Sequence, residues 1–203
     1  MSLKKLERIS AFYRPRMDDR RPSYAVVNWA SPMTQLARYE ILADGVPLAG
    51  KRILDVGCGL GDFWAFLQER KIETEYTGVD LLPEMVVSAR ARRPGAVFHC
   101  LDLFGGQAPP RADYDLIFCS GVFSLDLGNN LDFVPQAFAR LREFAARPGW
   151  IVSNFLHVRA HGQEPPYFYY DPAVLLERLR PLGGIFRLRD DYLINDFTVF
   201  WEL

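Results

Sequence analysis

This sequence is short of cysteine, of net charge and of long apolar runs. Three cysteines occur in 203 residues, Cys58, Cys100 and Cys119. Their number is odd and no C-x-x-C pair exists, so they read as reduced thiols of a cytoplasmic protein. Lysine and arginine total 24 against 25 aspartate and glutamate. That balance excludes the footprint of a bulk polyanion binder, and no strong nucleic-acid signal appears. No apolar run is long enough to span a bilayer and no signal peptide opens the chain, so no membrane role is expected. Met1 to Leu3 are set aside as a vector-derived leader. What is present is enough for one domain with a full core, burying about 70% of the unfolded chain's surface.

The most informative stretch is residues 52–62, RILDVGCGLGD. Ile53, Leu54 and Val56 have the composition of a buried parallel strand that ends in an acid, Asp55. Gly57, Gly59 and Gly61 follow at alternate positions around Cys58, and residues 63–70 then read as a helix. Strand, glycine turn and helix N-terminus in that order aim backbone N–H groups at a ligand. The dinucleotide fingerprint G-x-G-x-x-G needs its third glycine at position 62, where this chain has Asp62. A carboxylate there disfavours a pyrophosphate. An ammonium or sulfonium ligand suits Asp55 and Asp62 better.

The pattern Asp55-x-Gly57-x-Gly59-x-Gly61 resembles the first motif of class I S-adenosylmethionine-dependent methyltransferases. The resemblance covers residues 50–203 in element order. It implies a doubly wound α/β Rossmann-like sheet, mostly parallel, with a C-terminal antiparallel hairpin and strand order 3-2-1-4-5-7-6. S-adenosylmethionine is then the cofactor and in-line methyl transfer the reaction. An acid at the end of the second strand, Asp80, stands 19 residues beyond Gly61, where it can accept both ribose hydroxyls. Leu81 and Met85 are placed to cover the adenine, although core packing explains Met85 equally well. After a third strand at residues 96–100, the resemblance puts Asp102 against the adenine amino group. It puts the adjacent backbone N–H, at Leu103, against a ring nitrogen. A fourth strand, residues 115–119, leads into Ser120 and Gly121. At a switch in strand order these lie near the reactive end of the cofactor.

Residues 1–49 are expected to form an N-terminal arm and helix, and residues 50–203 the cofactor-binding domain. The arm interleaves Arg14, Arg16, Arg20 and Arg21 with Tyr13, Asp18, Asp19 and Tyr24. Two readings fit it, a solvated segment or a lid over the cofactor. Asn28, Trp29, Ser31, Gln35 and Arg38 are its candidate lid contacts. A helix over residues 34–42 would let Arg38 reach a ligand carboxylate or leave it in solvent.

Downstream, a helix at residues 133–146, a strand at 150–153, a helix at 172–179 and strands at 186–192 and 197–201 complete the pattern. Residues 154–171 read as a long loop rich in His and Tyr, either an acceptor pocket or aromatic packing. His157 and His161 share a spacing of four, but the other ligands of a metal site are missing, so no metal is expected. No catalytic base is identifiable. His157, His161, Tyr167 and Asp126 are candidates by type alone. A small-molecule acceptor is expected, of unspecified identity and acceptor atom. An aminopropyl transferase and a non-catalytic partner subunit are the alternatives; the oligomeric state is not legible.

Overall fold

Seven apolar segments pair into one sheet in the order β3-β2-β1-β4-β5-β7-β6, as the resemblance implies. The strands are β1 (Arg52–Val56), β2 (Glu75–Asp80), β3 (Val97–Cys100), β4 (Tyr114–Cys119), β5 (Ala145–Leu156), β6 (Ile185–Arg189) and β7 (Asp196–Glu202). The first five run parallel, and β7 runs antiparallel between β5 and β6. Among the described residues seven α-helices accompany them: α1 (Leu3–Tyr13), α2 (Ser23–Val26), α3 (Pro32–Gly45), α4 (Asp62–Glu69), α5 (Pro83–Arg92), α6 (Asn130–Arg142) and α7 (Pro172–Leu179). This is a computed structural model. It describes residues 2–18 and 20–203, so Met1 of the expected leader and Asp19 of the arm lie outside the described residues.

Each sheet face buries an apolar layer. Leu54, Ile117 and Ile151 meet Val134, Phe138 and Leu141 of α6 on one side. Ile53, Leu116 and Phe118 meet Leu42 of α3 and Phe63 and Phe66 of α4 on the other. Burying each such side chain stabilises the fold by about 1.5–3 kcal/mol. Of residues 1–49, α3 therefore belongs to the core of the sheet. Its start is set by Ser31, which caps the Thr34 N–H at 3.2 Å, and by Pro32 in the first turn.

The structure moves three boundaries. Residues 3–13 of the arm, to which no element was assigned from the sequence, are helical. The strand expected at residues 150–153 runs on to Leu156, shortening the loop to 157–171. Asn154 looked like a loop residue, but its Nδ2 donates to Thr198 Oγ1 at 2.8 Å across β5 and β7, which gives its amide group a partner inside the sheet. The helix expected at residues 133–146 is shifted to Asn130–Arg142, because Ala145 already pairs with Tyr114.

Candidate active site

The carboxyl ends of β1, β2 and β4 open into a cavity of about 490 Å³. Its floor is the turn after β1. Gly57 and Gly59 hold φ of 69° and 51°, and a Cβ added at them would lie 2.7 Å from Val122 and 2.9 Å from Val27. Both the conformation and the space demand glycine. Asp80 locks the turn. Its Oδ2 accepts the Gly59 N–H at 3.0 Å and its Oδ1 the Leu82 N–H at 3.0 Å. One carboxylate thus ties the first glycine turn to the loop after β2.

All the expected cofactor residues line this cavity except Gly61. Asp55, Cys58, Leu81, Met85, Asp102, Leu103, Ser120 and Gly121 are brought together from four strand ends, with Trp29 and Arg38 from the N-terminal side. Gly61 caps α4 instead, where an added Cβ would meet Phe98 and Arg93. There it shapes the turn behind the lining.

Three acids gather under the turn. Asp55 is buried and accepts a 2.6 Å hydrogen bond from Tyr76 Oη. Burial, with smaller contributions from the charges of Asp80 and Asp62, pushes its carboxyl up to about 7 against the Tyr76 bond. Burial also pushes Asp80 up. Asp62, the residue that broke the dinucleotide fingerprint, is held by Arg93 at 3.1 Å and by Gln35 Nε2 at 3.0 Å. Arg93 is held by that carboxylate rather than left free for a phosphate.

Arg38 is neither the solvated helix residue nor the unpaired cation expected from the sequence. It is 4% exposed, and its Nη2 lies 2.6 Å from both oxygens of buried Asp196. The guanidinium stacks 3.9 Å from the Trp29 ring centroid. Trp29 in turn sits over Gly121, where an added Cβ would meet its ring at 2.8 Å.

The four candidate bases divide. His161 and Tyr167 line the cavity. His157 does not: its Nδ1 accepts the Arg159 N–H at 3.0 Å, its ring packs edge-on to Phe197, and burial lowers its pKa. Residues 157–161 are not helical, so the histidine spacing puts no two rings on one face. Asp126 lies outside the cavity too, accepting the Gly128 N–H at 2.8 Å in a turn. Sequence reasoning missed Phe12 and Phe133 as wall residues. Ile9, Phe12 and Tyr13 do show the three–four spacing of a helix face.

A buried polar knot holds the acceptor-side loops. Tyr170 Oη donates to the Phe123 carbonyl at 2.9 Å. Asn130 Nδ2 donates to Tyr170 Oη at 3.0 Å and to the Leu125 carbonyl at 2.8 Å. Tyr170→Phe should cost about 1–3 kcal/mol by stranding those partners. Denaturant unfolding measures it, and a loss below about 0.5 kcal/mol would show that the knot is not holding the loops.

Sheet order, glycine turn and acid positions together define an S-adenosylmethionine-binding Rossmann-like fold. A family model described as a methyltransferase domain matches residues 54–151. Rv1506c of Mycobacterium tuberculosis, named as a methyltransferase with no acceptor stated, is 30% identical over 156 residues, covering 72% of this chain and 90% of its own. A trans-aconitate 2-methyltransferase of Afipia carboxidovorans is 26% identical over 167 residues, 71% of this chain. The match spans 62% of that relative's length, less than two thirds. The solved DhpI–SAM–HEP complex shares the fold, with a TM-score of 0.74 over 100% of both chains at 17% identity. The chain belongs to the S-adenosylmethionine-dependent methyltransferases, and its cofactor is S-adenosylmethionine.

Proposed function

We propose that this chain is a cytoplasmic enzyme that methylates a small molecule, with cofactor and acceptor side by side in the 490 Å³ cavity. The observation that carries this reading is the convergence on one cavity of the Asp55–Gly59 turn, Asp80, Asp102 and Ser120. The residues fit the cofactor. Ser120 Oγ is buried without a partner beside the turn, a polar atom awaiting a ligand. The cysteines are unpaired, and among the described residues no helix is long and apolar enough to cross a membrane.

S-adenosylmethionine supplies a methyl group on a positively charged sulfur, open to in-line displacement. On this reading Asp80 accepts the ribose hydroxyls, Asp102 and the Leu103 N–H take the adenine edge, and Leu81 and Met85 cover its face. The backbone at Gly57 and Gly59, with Asp55, receives the amino-acid end. Arg38, already neutralised by Asp196, positions Trp29 rather than supplying a free charge. His161 is the wall residue suited to take a proton from an acceptor. Tyr167 suits that role less, because burial raises its phenol pKa. Most of the rate then comes from holding two reactants in line in a dry site.

On this reading the described residues ahead of α3 act as the lid. Ile9 and Tyr13 pack on the Val26, Leu60, Leu82 and Met85 cluster, Arg14 pairs with Glu84 at 2.9 Å, and Asn28 donates to Tyr167. Deleting residues 4–30 should leave the sheet folded and weaken cofactor binding at least about tenfold, or about 1.4 kcal/mol. Circular dichroism and titration measure the two effects. Loss of the fold would make the arm structural instead.

The direct test is calorimetric titration with S-adenosylhomocysteine, with NAD and ATP as controls, followed by an acceptor screen. The name of the Afipia relative makes trans-aconitate one compound for that screen. Selective S-adenosylhomocysteine binding without any acceptor turned over would favour a partner-subunit role.

A further inference from the structure

The cavity's two ends differ in chemistry, and the end left for the acceptor is aromatic with one acid, Glu164. Its aromatic lining includes Phe12 of α1, whose ring centroid lies 5.8 Å from that of Tyr167, and Tyr167 and Tyr169 of the 157–171 loop, whereas Tyr13 sits with Leu82 and Met85 at the cofactor end and Phe133 packs on Phe104 just after Asp102. The titratable side chains on the lining are unequal. Among the described residues, Asp55, Asp62, Asp80, Asp102, Glu164 and Asp196 outnumber Arg38 and His161. Arg38 is already engaged by both oxygens of Asp196.

Three other cations near the lining each have a partner. Arg93 bonds Asp62. Lys5 rests 4.1 Å over the Phe133 ring, and Arg16 rests 3.9 Å over the Phe12 ring while donating to Asn28 Oδ1 at 3.3 Å. None of the three is a wall residue. A carboxylate entering this end would lose its water without gaining a cation, and buried charge without a partner is strongly disfavoured. A flat ring, by contrast, can bury about 150–250 Å² against such a wall. His161, Glu164 and the Asn28–Tyr167 pair offer acceptors and donors for one polar handle.

From this lining we infer that the methyl acceptor is a planar aromatic compound whose nucleophile is a hydroxyl or an amine, and that it carries no carboxylate or phosphate. The inference rests on the reading that donor and acceptor share this cavity. In the transfer, the acceptor's lone pair forms the new bond to the methyl carbon. The carbon–sulfur pair returns to sulfur, and the acceptor's proton leaves to His161 or to solvent. The tricarboxylate of the relative's name is the wrong chemistry for this wall.

The test uses the full chain saturated with S-adenosylhomocysteine. Saturation is first checked by titration, so that a failure there strikes the cofactor reading and not this one. Tyramine, 4-hydroxybenzyl alcohol and 4-hydroxyphenylacetate share one ring and differ in charge. Their binding is measured beside trans-aconitate by tryptophan fluorescence and ligand-observed NMR. The amine and the alcohol should bind at least tenfold more tightly than the carboxylate, and trans-aconitate should not compete. Glu164→Lys should shift the ratio toward the carboxylate by at least threefold. Equal or tighter binding of either carboxylate, an unshifted ratio in Glu164→Lys, or no binding of any ring compound to the saturated protein would overturn the inference.

Discussion

Asp80→Ala should weaken S-adenosylhomocysteine binding by about 1.5–3 kcal/mol, roughly 10- to 150-fold, the scale of hydrogen bonds to a charged acceptor. The loss has two sources. One is the ribose, whose hydroxyls need an acceptor that Ala does not supply. The other is the turn itself, because the Gly59 and Leu82 N–H groups both rest on this carboxylate. A ligand lacking the 2′-hydroxyl separates them. On the natural protein that analogue should bind more weakly than S-adenosylhomocysteine. On Asp80→Ala the two should bind alike, since the partner of the missing hydroxyl is gone. If the analogue loses the same affinity on both proteins, Asp80 serves the turn alone and the ribose is held elsewhere.

That dual role marks the limit of what the sequence discloses. The strands and the position of Asp80 at the end of β2 were legible, because β-branched runs, glycine punctuation and distance along the chain are local signals; the strand order came only from the family resemblance. The partners of Asp80 were not, since only the packed turn brings Gly59 back over β2. The same holds for Arg38. Its helical position was readable, but Asp196 is 158 residues away, and burial of both decides that Arg38 is an ion-pair member. Asp62 was legible as a misfit to a phosphate loop, while its partner Arg93 enters from the end of α5. Asn154 misled for the opposite reason. Its polarity argued for a loop, and only the Thr198 partner on the next strand makes it a good strand residue. The wall proposed for the acceptor is the least local feature, assembled from α1 and one loop. Its aromatic character was visible in the loop tyrosines, whereas the cavity's excess of acids emerged only once the strands were side by side.

The acidity has its largest consequence at Asp55. Its folded carboxyl holds a proton up to about 7, whereas in an unfolded chain it gives that proton up near 3.8. Between those values the folded state binds more protons than the unfolded one, so stability falls as pH rises. From pH 5 to pH 8 the loss from this group is about 2–3 kcal/mol, ending above its folded pKa. Asp80 and Asp196, also pushed up by burial, act in the same direction. His157, pushed down, acts oppositely below its ordinary value of 6.5. Comparing the ligand-free protein with Asp55→Asn isolates the one group, since the variant should lose this part of the slope and keep the rest. Superimposable slopes would mean that Asp55 ionises normally. Ligand binding reads the same proton. A cationic amino group beside Asp55 favours the carboxylate, so at pH 7 the cofactor should expel about half a proton. Calorimetry in two buffers of different ionisation heat measures it. Release that disappears in Asp55→Asn places the cofactor's positive end against β1. Release that persists transfers the role to Asp80, and binding without release leaves the cation facing neither acid.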